Sequence, residues 1–325
     1  MSEQPLLSIV VTSYTMDRNR DIFALIDSIN ALTYSNIEVI MVVERSKELF
    51  ESIRKYVVLQ TILKIRIVFN TGEQGLSAAR NLGFKEASGE IIAFIDDDAL
   101  VFPEWSEQMV KTYDDSTIIG VTGPSIPLWE DKNLSWVPEE FYWIIGGSGY
   151  REWTENREVR NVSGTNMSFR REAFNLVGLF MTNLGAIEGG GGLGKQKFGG
   201  EETEFCIRLR TKSEKRIIYN PNVRVYHKVY KYRVTSRFIA RRAYSEGYTK
   251  AMFNRTYQNL NDNRKLLHVE YILLNRIFTK LLPGMLRSSF SHPVVFFRRL
   301  GMTINAVFFV AVGYSSYSLK AILKK

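Results

Sequence analysis

Thiols are almost missing from this chain. Cys206 is the single cysteine in 325 residues, so no intrachain disulfide can form, and a reducing compartment fits. No segment is low in complexity and no internal repeat stands out. The start, MSEQP, lacks the basic opening of a signal peptide, and the apolar LLSIVV that follows is too short for one. The expectation is therefore a catalytic part that is not secreted. Acids are the rarer charge, 34 against 43 Lys and Arg, and the net +9 points to an anionic partner such as a nucleotide, a nucleic acid or an acidic lipid surface.

What is present reads as a globular chain, 45% hydrophobic and 24% charged. LLSIVVTSY (6–14), IEVIMVVER (37–45), LKIRIVFN (63–70) and EIIAFIDDD (90–98) are short, β-branched apolar runs that predict buried strands. Between them DIFALIDSINAL (21–32), KELFESIRKYVVLQ (47–60) and GLSAARNLGFKEA (75–87) predict helices. The alternation implies an α/β fold with a mostly parallel central sheet, helices on both faces, and ligands at the carboxyl ends of the strands. Residues 115–200 are less regular. TEFCIRLRTK (203–212) predicts a helix, 216–229 two short strands around an Asn-Pro turn, and 236–325 a helical, basic, increasingly apolar region.

Three acids, Asp96, Asp97 and Asp98, end the fourth predicted strand. Adjacent carboxylates repel, and each resists leaving water. Asp96 and Asp98, two apart at a strand end, can face one divalent cation together with phosphate oxygens. A solvated acidic turn or helix cap is the plainer alternative. Glu201 and Glu202 follow a glycine-dense loop, EGGGGLGKQKFGG, that carries Lys195 and Lys197. They suit a helix N-terminus, and the loop suits a lid over a phosphate-bearing ligand. Glu44 ends the second strand, and Arg80 lies on the helix after the third. His227 is either structural or a metal or phosphate contact. Cys206 is expected in the core.

These residues carry a resemblance. LSIVVTSY, VIMVVER, GLSAARNLG, the acids at 96–98 and GEETEFCIR (200–208) resemble the family 2 glycosyltransferases of the GT-A fold, over roughly residues 6 to 230. The resemblance implies that Asp96 and Asp98 hold Mn²⁺ or Mg²⁺ on a donor diphosphate, and His227 is the candidate third metal ligand. It implies that the acid pair Glu201–Glu202 supplies the catalytic base, with Glu202 at the position where the family commonly has Asp. Thr12, Ser13, Glu44 and Arg80 would hold the uridine, with Asp96 and Asp97 among the donor contacts and Lys195 and Lys197 closing over the diphosphate. The family's second strand usually ends in Asp-Asp, and here it ends in Glu44–Arg45.

SYTMDR (13–18), PEEFYWIIG (138–146), VRNVSGTNMSFRRE (159–172) and YNPNVRVYHKVYKYR (219–233) are similar more narrowly to archaeal glucosyl-dolichyl-phosphate glucuronosyltransferases of N-glycosylation. That likeness implies UDP-glucuronate, or another UDP-hexose, as donor and a dolichyl-phosphate-linked sugar as acceptor. A polyprenyl-phosphate sugar synthase is the rival enzyme. A lipid phosphate is already ionised near neutral pH and needs no base, whereas a sugar hydroxyl does, so an acid pair favours the hydroxyl acceptor.

Residues 1–232 are thus expected to form the catalytic domain, and 233–325 a membrane-associating region on the cytoplasmic face, peripheral or single-span. LLHVEYILLNRIFTKLLPGML (266–286) suits an amphipathic helix in the interface, or packing on the core. INAVFFVAVGY (304–314) falls short of the ~20 residues that span a bilayer, with Arg298 and Arg299 on one side and Ser315, Ser316 and Lys320 on the other. The stretch 228–242, with Arg237, Arg241 and Arg242, suits anionic headgroups or a solvated helix face. A nucleic-acid partner is disfavoured: the basic residues are dispersed and no nucleic-acid module is recognisable. A non-catalytic membrane-docking subunit is disfavoured by the intact acids.

Overall fold

The computed structural model describes residues 4–58, 64–184, 198–257 and 267–323. Along the chain run β1 (Leu7–Ser13), α1 (Asn19–Asn30), β2 (Ile37–Glu44), α2 (Lys47–Val58), β3 (Ile65–Asn70), α3 (Leu76–Glu86), β4 (Ile91–Asp96) and β5 (Ala99–Val101). Then come α4 (Trp105–Thr112), β6 (Ile118–Thr122), β7 (Ser125–Trp129), α5 (Tyr142–Ile145), β8 (Arg157–Glu158), β9 (Asn166–Arg170), α6 (Arg171–Val177) and α7 (Glu201–Lys212). β10 (Arg216–Tyr219), β11 (Val225–Val229), α8 (Ser236–Thr256), α9 (His268–Arg276), α10 (Leu282–Ser288) and α11 (Pro293–Leu323) complete it. The chain forms two compact units, the first of Met1–Ile126, Ser148–Lys197 and Glu201–Lys228, the second of Pro127–Gly147, Phe198–Gly200 and Val229–Lys325.

In the first unit an eight-stranded sheet has the order β3-β2-β1-β4-β9-β6-β10-β8. β1, β2, β3 and β4 are mutually parallel neighbours, and β9 enters antiparallel between β4 and β6. Alternate residues of β1 serve opposite faces. Leu7, Ile9 and Val11 pack with Ile22, Leu25 and Ile26 of α1 on one side. Val10 packs with Ala79 of α3, Phe94 and Phe205 on the other. Burial on both faces is why these strands are nearly all apolar rather than alternating. Gly83 of α3 lies so close to β1 that a Cβ there would sit 2.2 Å from the Val10 side chain. Cys206 is fully buried, as expected, and burial pushes its thiol up to about 12.

Because β1, β2 and β4 run parallel, their carboxyl ends share one edge. The register sets Thr12 opposite Asp96 and Ser13 opposite Val43, one residue before Glu44. Beyond β4 the chain turns into β5, which pairs antiparallel with β11 so that Ala99 faces His227.

In the second unit a core of Val137, Phe141, Ile144, Ile145, Ile239, Ala243, Met302 and Ala306 forms around α8 and α11. These two helices meet through glycines. A Cβ on Gly247 would lie 2.0 Å from the Val310 carbonyl oxygen, and one on Gly313 would lie 2.1 Å from that of Tyr244. The 304–314 run, expected to fall short of a membrane span, is part of a 31-residue helix, long and apolar enough to cross a membrane. Arg298, Arg299, Ser315 and Ser316 continue that helix rather than end it, because such residues interrupt hydropathy without breaking backbone hydrogen bonding.

Candidate active site

The triple acid is the centre of a compensated charge cluster. Asp97 and Asp98 are buried, while Asp96 keeps a side chain 27% exposed. Asp98 Oδ2 pairs with Arg18 Nη1 at 2.8 Å, and its Oδ1 lies 3.0 Å from His227 Nε2. The same imidazole nitrogen is 3.9 Å from Asp96 Oδ2. Asp97 accepts a hydrogen bond from the Ser13 hydroxyl. Burial, then the neighbouring carboxylates of Asp98 and Asp96, push the Asp97 carboxyl up to about 8, against the opposing effects of Arg18 and Ser13. A buried acid that holds its proton to neutral pH relieves part of the repulsion among three adjacent carboxylates.

Asp96, Asp98 and His227 each offer one ligand atom, and these atoms lie within 4.8 Å of one another. Two carboxylates and an imidazole suit a divalent first-row cation such as Mn²⁺. The residues present therefore fit a divalent metal. Antiparallel pairing of β5 with β11 brings the imidazole in, and Lys228 N donates to Asp98 O at 3.0 Å, which fixes that corner.

Arg80, on α3 and 2% exposed, ties this cluster to the second acid pair. Its Nη2 donates to Asp96 Oδ1 at 3.1 Å and to Gly164 O at 2.8 Å, and its Nη1 donates to Glu201 Oε1 at 2.6 Å. Glu201 is 4% exposed and is committed to that ion pair. Glu202 is half-buried, and its Oε1 accepts from the Thr203 hydroxyl at 3.3 Å. Gly164 lies beneath both: a Cβ there would be 3.7 Å from Arg80 Nη2 and 3.8 Å from the Glu202 carboxyl carbon. Glu204, one turn further along α7, is buried and held by Arg208 at 2.7 Å, so it serves packing.

The structure thus brings Asp96, Asp97, Asp98, His227, Arg80, Glu201, Ser13 and Thr12 to one region. Glu44 behaves differently. Its Oε2 accepts from Gly75 N at 2.9 Å and Asn70 Nδ2 at 3.5 Å, so it braces the turn entering α3. Arg80, expected to hold uridine, has its guanidinium turned to Asp96, Glu201 and Gly164 O. Lys195 and Lys197 lie outside the described residues. Arg18 was not singled out in the sequence. Its signal is a basic residue in the first strand-to-helix connection, one residue before α1 starts, on the edge where the acids collect.

The fold and site define a glycosyltransferase of the GT-A class. The chain belongs to glycosyl transferase family 2, whose model matches residues 8–178. Over 261 residues it is 32% identical to the glucosyl-dolichyl phosphate glucuronosyltransferase of Haloferax volcanii, covering 79% of this chain and 80% of that one. Among solved structures it is similar to the mannosyltransferase PcManGT from Pyrobaculum calidifontis in complex with GDP-Man and Mn²⁺, with a TM-score of 0.63, 20% identity, and 96% and 88% of the two chains covered. It is also similar to S. aureus TarS 1-349 in complex with UDP-GlcNAc, with a TM-score of 0.55, 13% identity, and 97% and 92% covered. At such identities these two establish the shared fold.

Proposed function

We propose that this enzyme moves a hexuronosyl group, glucuronate by preference, from a UDP-sugar to a hydroxyl of a dolichyl-phosphate-linked sugar, with inversion at the donor carbon. The observation that carries the reading is the juxtaposition, through Arg80, of the Asp96–Asp98–His227 group with the Glu201–Glu202 pair at the start of α7. The Haloferax volcanii relative supports the choice of donor and acceptor.

Asp96, Asp98 and His227 would hold a Mn²⁺ or Mg²⁺ ion, which when bound neutralises charge on the departing diphosphate. Glu202 takes the proton from the attacking acceptor hydroxyl at its carboxylate. Glu201, held by Arg80, positions the first turn of α7 and so aims its neighbour. Thr12 and Ser13, at the end of β1, lie at the sheet edge where the nucleoside would dock, and Lys195 and Lys197, outside the described residues, are the expected diphosphate contacts. The acceptor is lipid-borne, so the partner surface is the cytoplasmic face of a membrane, met by the apolar and basic second unit.

The test is a donor screen on the detergent-purified chain with radiolabelled UDP-glucuronate, UDP-glucose and UDP-N-acetylglucosamine, archaeal lipid extract, and Mn²⁺ or Mg²⁺. Label from UDP-glucuronate in the organic phase, lost on chelation, is the expected result. Label from a different donor alone would replace the proposed sugar.

A further inference from the structure

We propose that α11 lies flat in the lipid interface and does not cross the membrane; this rests on the membrane partner proposed above and specifies its geometry. By length and composition the helix could span. Its most apolar window is only 17% buried within the protein, so it is not the core helix of a soluble fold. Val294, Phe297, Ile304, Phe308, Leu319 and Ile322 are all exposed, at spacings that place most of them along one side of the helix.

What prevents crossing is α8. The two helices run parallel and in contact over most of α11. Near the start of that contact, Asn305 Nδ2 donates to Ser236 O at 3.3 Å. The glycine contacts of Gly247 with Val310 and Gly313 with Tyr244 hold the middle. Near its end, Asn254 Nδ2 donates to Tyr314 Oη at 3.1 Å, and Lys320 Nζ lies 5.6 Å from the Tyr248 ring. Yet α8 carries Arg237, Arg241, Arg242, Glu246, Lys250 and Arg255, charges spread over its whole length. A span through residues 302–320 would draw this charged helix into hydrocarbon at every depth. The part of α11 ahead of the contact, 293–301, is about 14 Å long at a helical rise and is too short to cross a ~30 Å core.

Charge supports a lipid occupant for the exposed face. Among the described residues from 267 onward, Glu270 is the sole acid and pairs with Lys250 at 2.9 Å. Lys280, Arg287 and Arg298 are exposed, the last of them on α11 itself. An exposed apolar face in a basic, acid-poor stretch of chain matches an anionic membrane surface.

The test uses the full chain with one added cysteine, Lys55→Cys on the catalytic unit or Leu323→Cys at the end of α11. Wild type, whose Cys206 is buried, is the unlabelled control. Sealed inside-out membrane vesicles from expressing cells are treated with a membrane-impermeant maleimide. Both cysteines reacting before detergent is the expected result. Lys55→Cys reacting at once, with Leu323→Cys protected until detergent is added, would show a crossing helix and overturn the in-plane geometry alone. Absence of the chain from the vesicles would remove the membrane reading itself. On phosphatidylglycerol vesicles, nitroxides scanned along 294–322 should oscillate in depth with the helix period about a constant mean; a steady change of depth along the helix would contradict the proposal. The pair Phe297→Ser and Phe308→Ser should weaken partitioning by roughly ten-fold or more.

Discussion

Arg80 and Glu201 form a buried ion pair at 2.6 Å between α3 and the first turn of α7, and the same guanidinium reaches Asp96 at 3.1 Å. One side chain therefore sets the separation between the acids at the end of β4 and the acid pair on α7. The planar fork divides these contacts between two nitrogens, Nη1 to Glu201 and Nη2 to Asp96 and the Gly164 carbonyl, whereas an ammonium would have to reach all three from one point.

Arg80→Lys keeps the charge and loses the fork. Turnover should fall roughly 10–100-fold, the range typical of groups that orient ligands from behind. The binding constant for the divalent cation, read by Mn²⁺ electron paramagnetic resonance, should weaken together with turnover. A variant with reduced turnover and unchanged Mn²⁺ binding would confine Arg80 to α7.

Asp97 gives a pH prediction. Its folded carboxyl is pushed up to about 8, mainly by burial and then by Asp98, from an ordinary value near 4. The folded state thus holds a proton that the unfolded chain releases. With cation chelated, the stability contributed by that proton is fully present below about pH 4 and is lost as pH rises through about 8. Melting temperatures of chelated protein should fall over that window, and Asp97→Asn should flatten the slope. An equal slope in the variant would place its origin elsewhere.

Gly247 and Gly313 predict a packing limit. A methyl at either would lie about 2 Å from a carbonyl oxygen of the facing helix, so the helices must separate. Gly247→Ala and Gly313→Ala should each cost about 1–3 kcal/mol in denaturant unfolding, the usual range for overpacking. Gly301→Ala is the control, since nothing lies within 4 Å of its added carbon.

Much of this architecture was legible from the chain. β1, β2, β3 and β4 announce themselves because sheet strands buried on both faces must be apolar throughout, and the acids stand out because they end such a run. The pairing of His227 with Asp98 was not legible as geometry, since it depends on β5 meeting β11 across a long stretch of sequence. Arg18 was missed because one arginine ahead of a helix looks like any solvated residue until Asp98 is found against it. Position places Glu44 and Arg80 at the sheet edge, but it does not show which carboxylate or backbone amide each side chain turns to. The full extent of α11 was hidden for a related reason: hydropathy marks Arg298 and Arg299 as boundaries, while helix formation runs through both.

The most direct test of the central claim compares wild type with Glu202→Gln on two acceptors, glucosyl-dolichyl phosphate and bare dolichyl phosphate, with labelled UDP-glucuronate under single-turnover conditions. A base that activates a sugar hydroxyl predicts product on the glucosylated lipid only, with the rate falling ~10²–10⁴-fold in the variant. Product on bare dolichyl phosphate, formed equally well by wild type and Glu202→Gln, would contradict both the acceptor and the role assigned to Glu202.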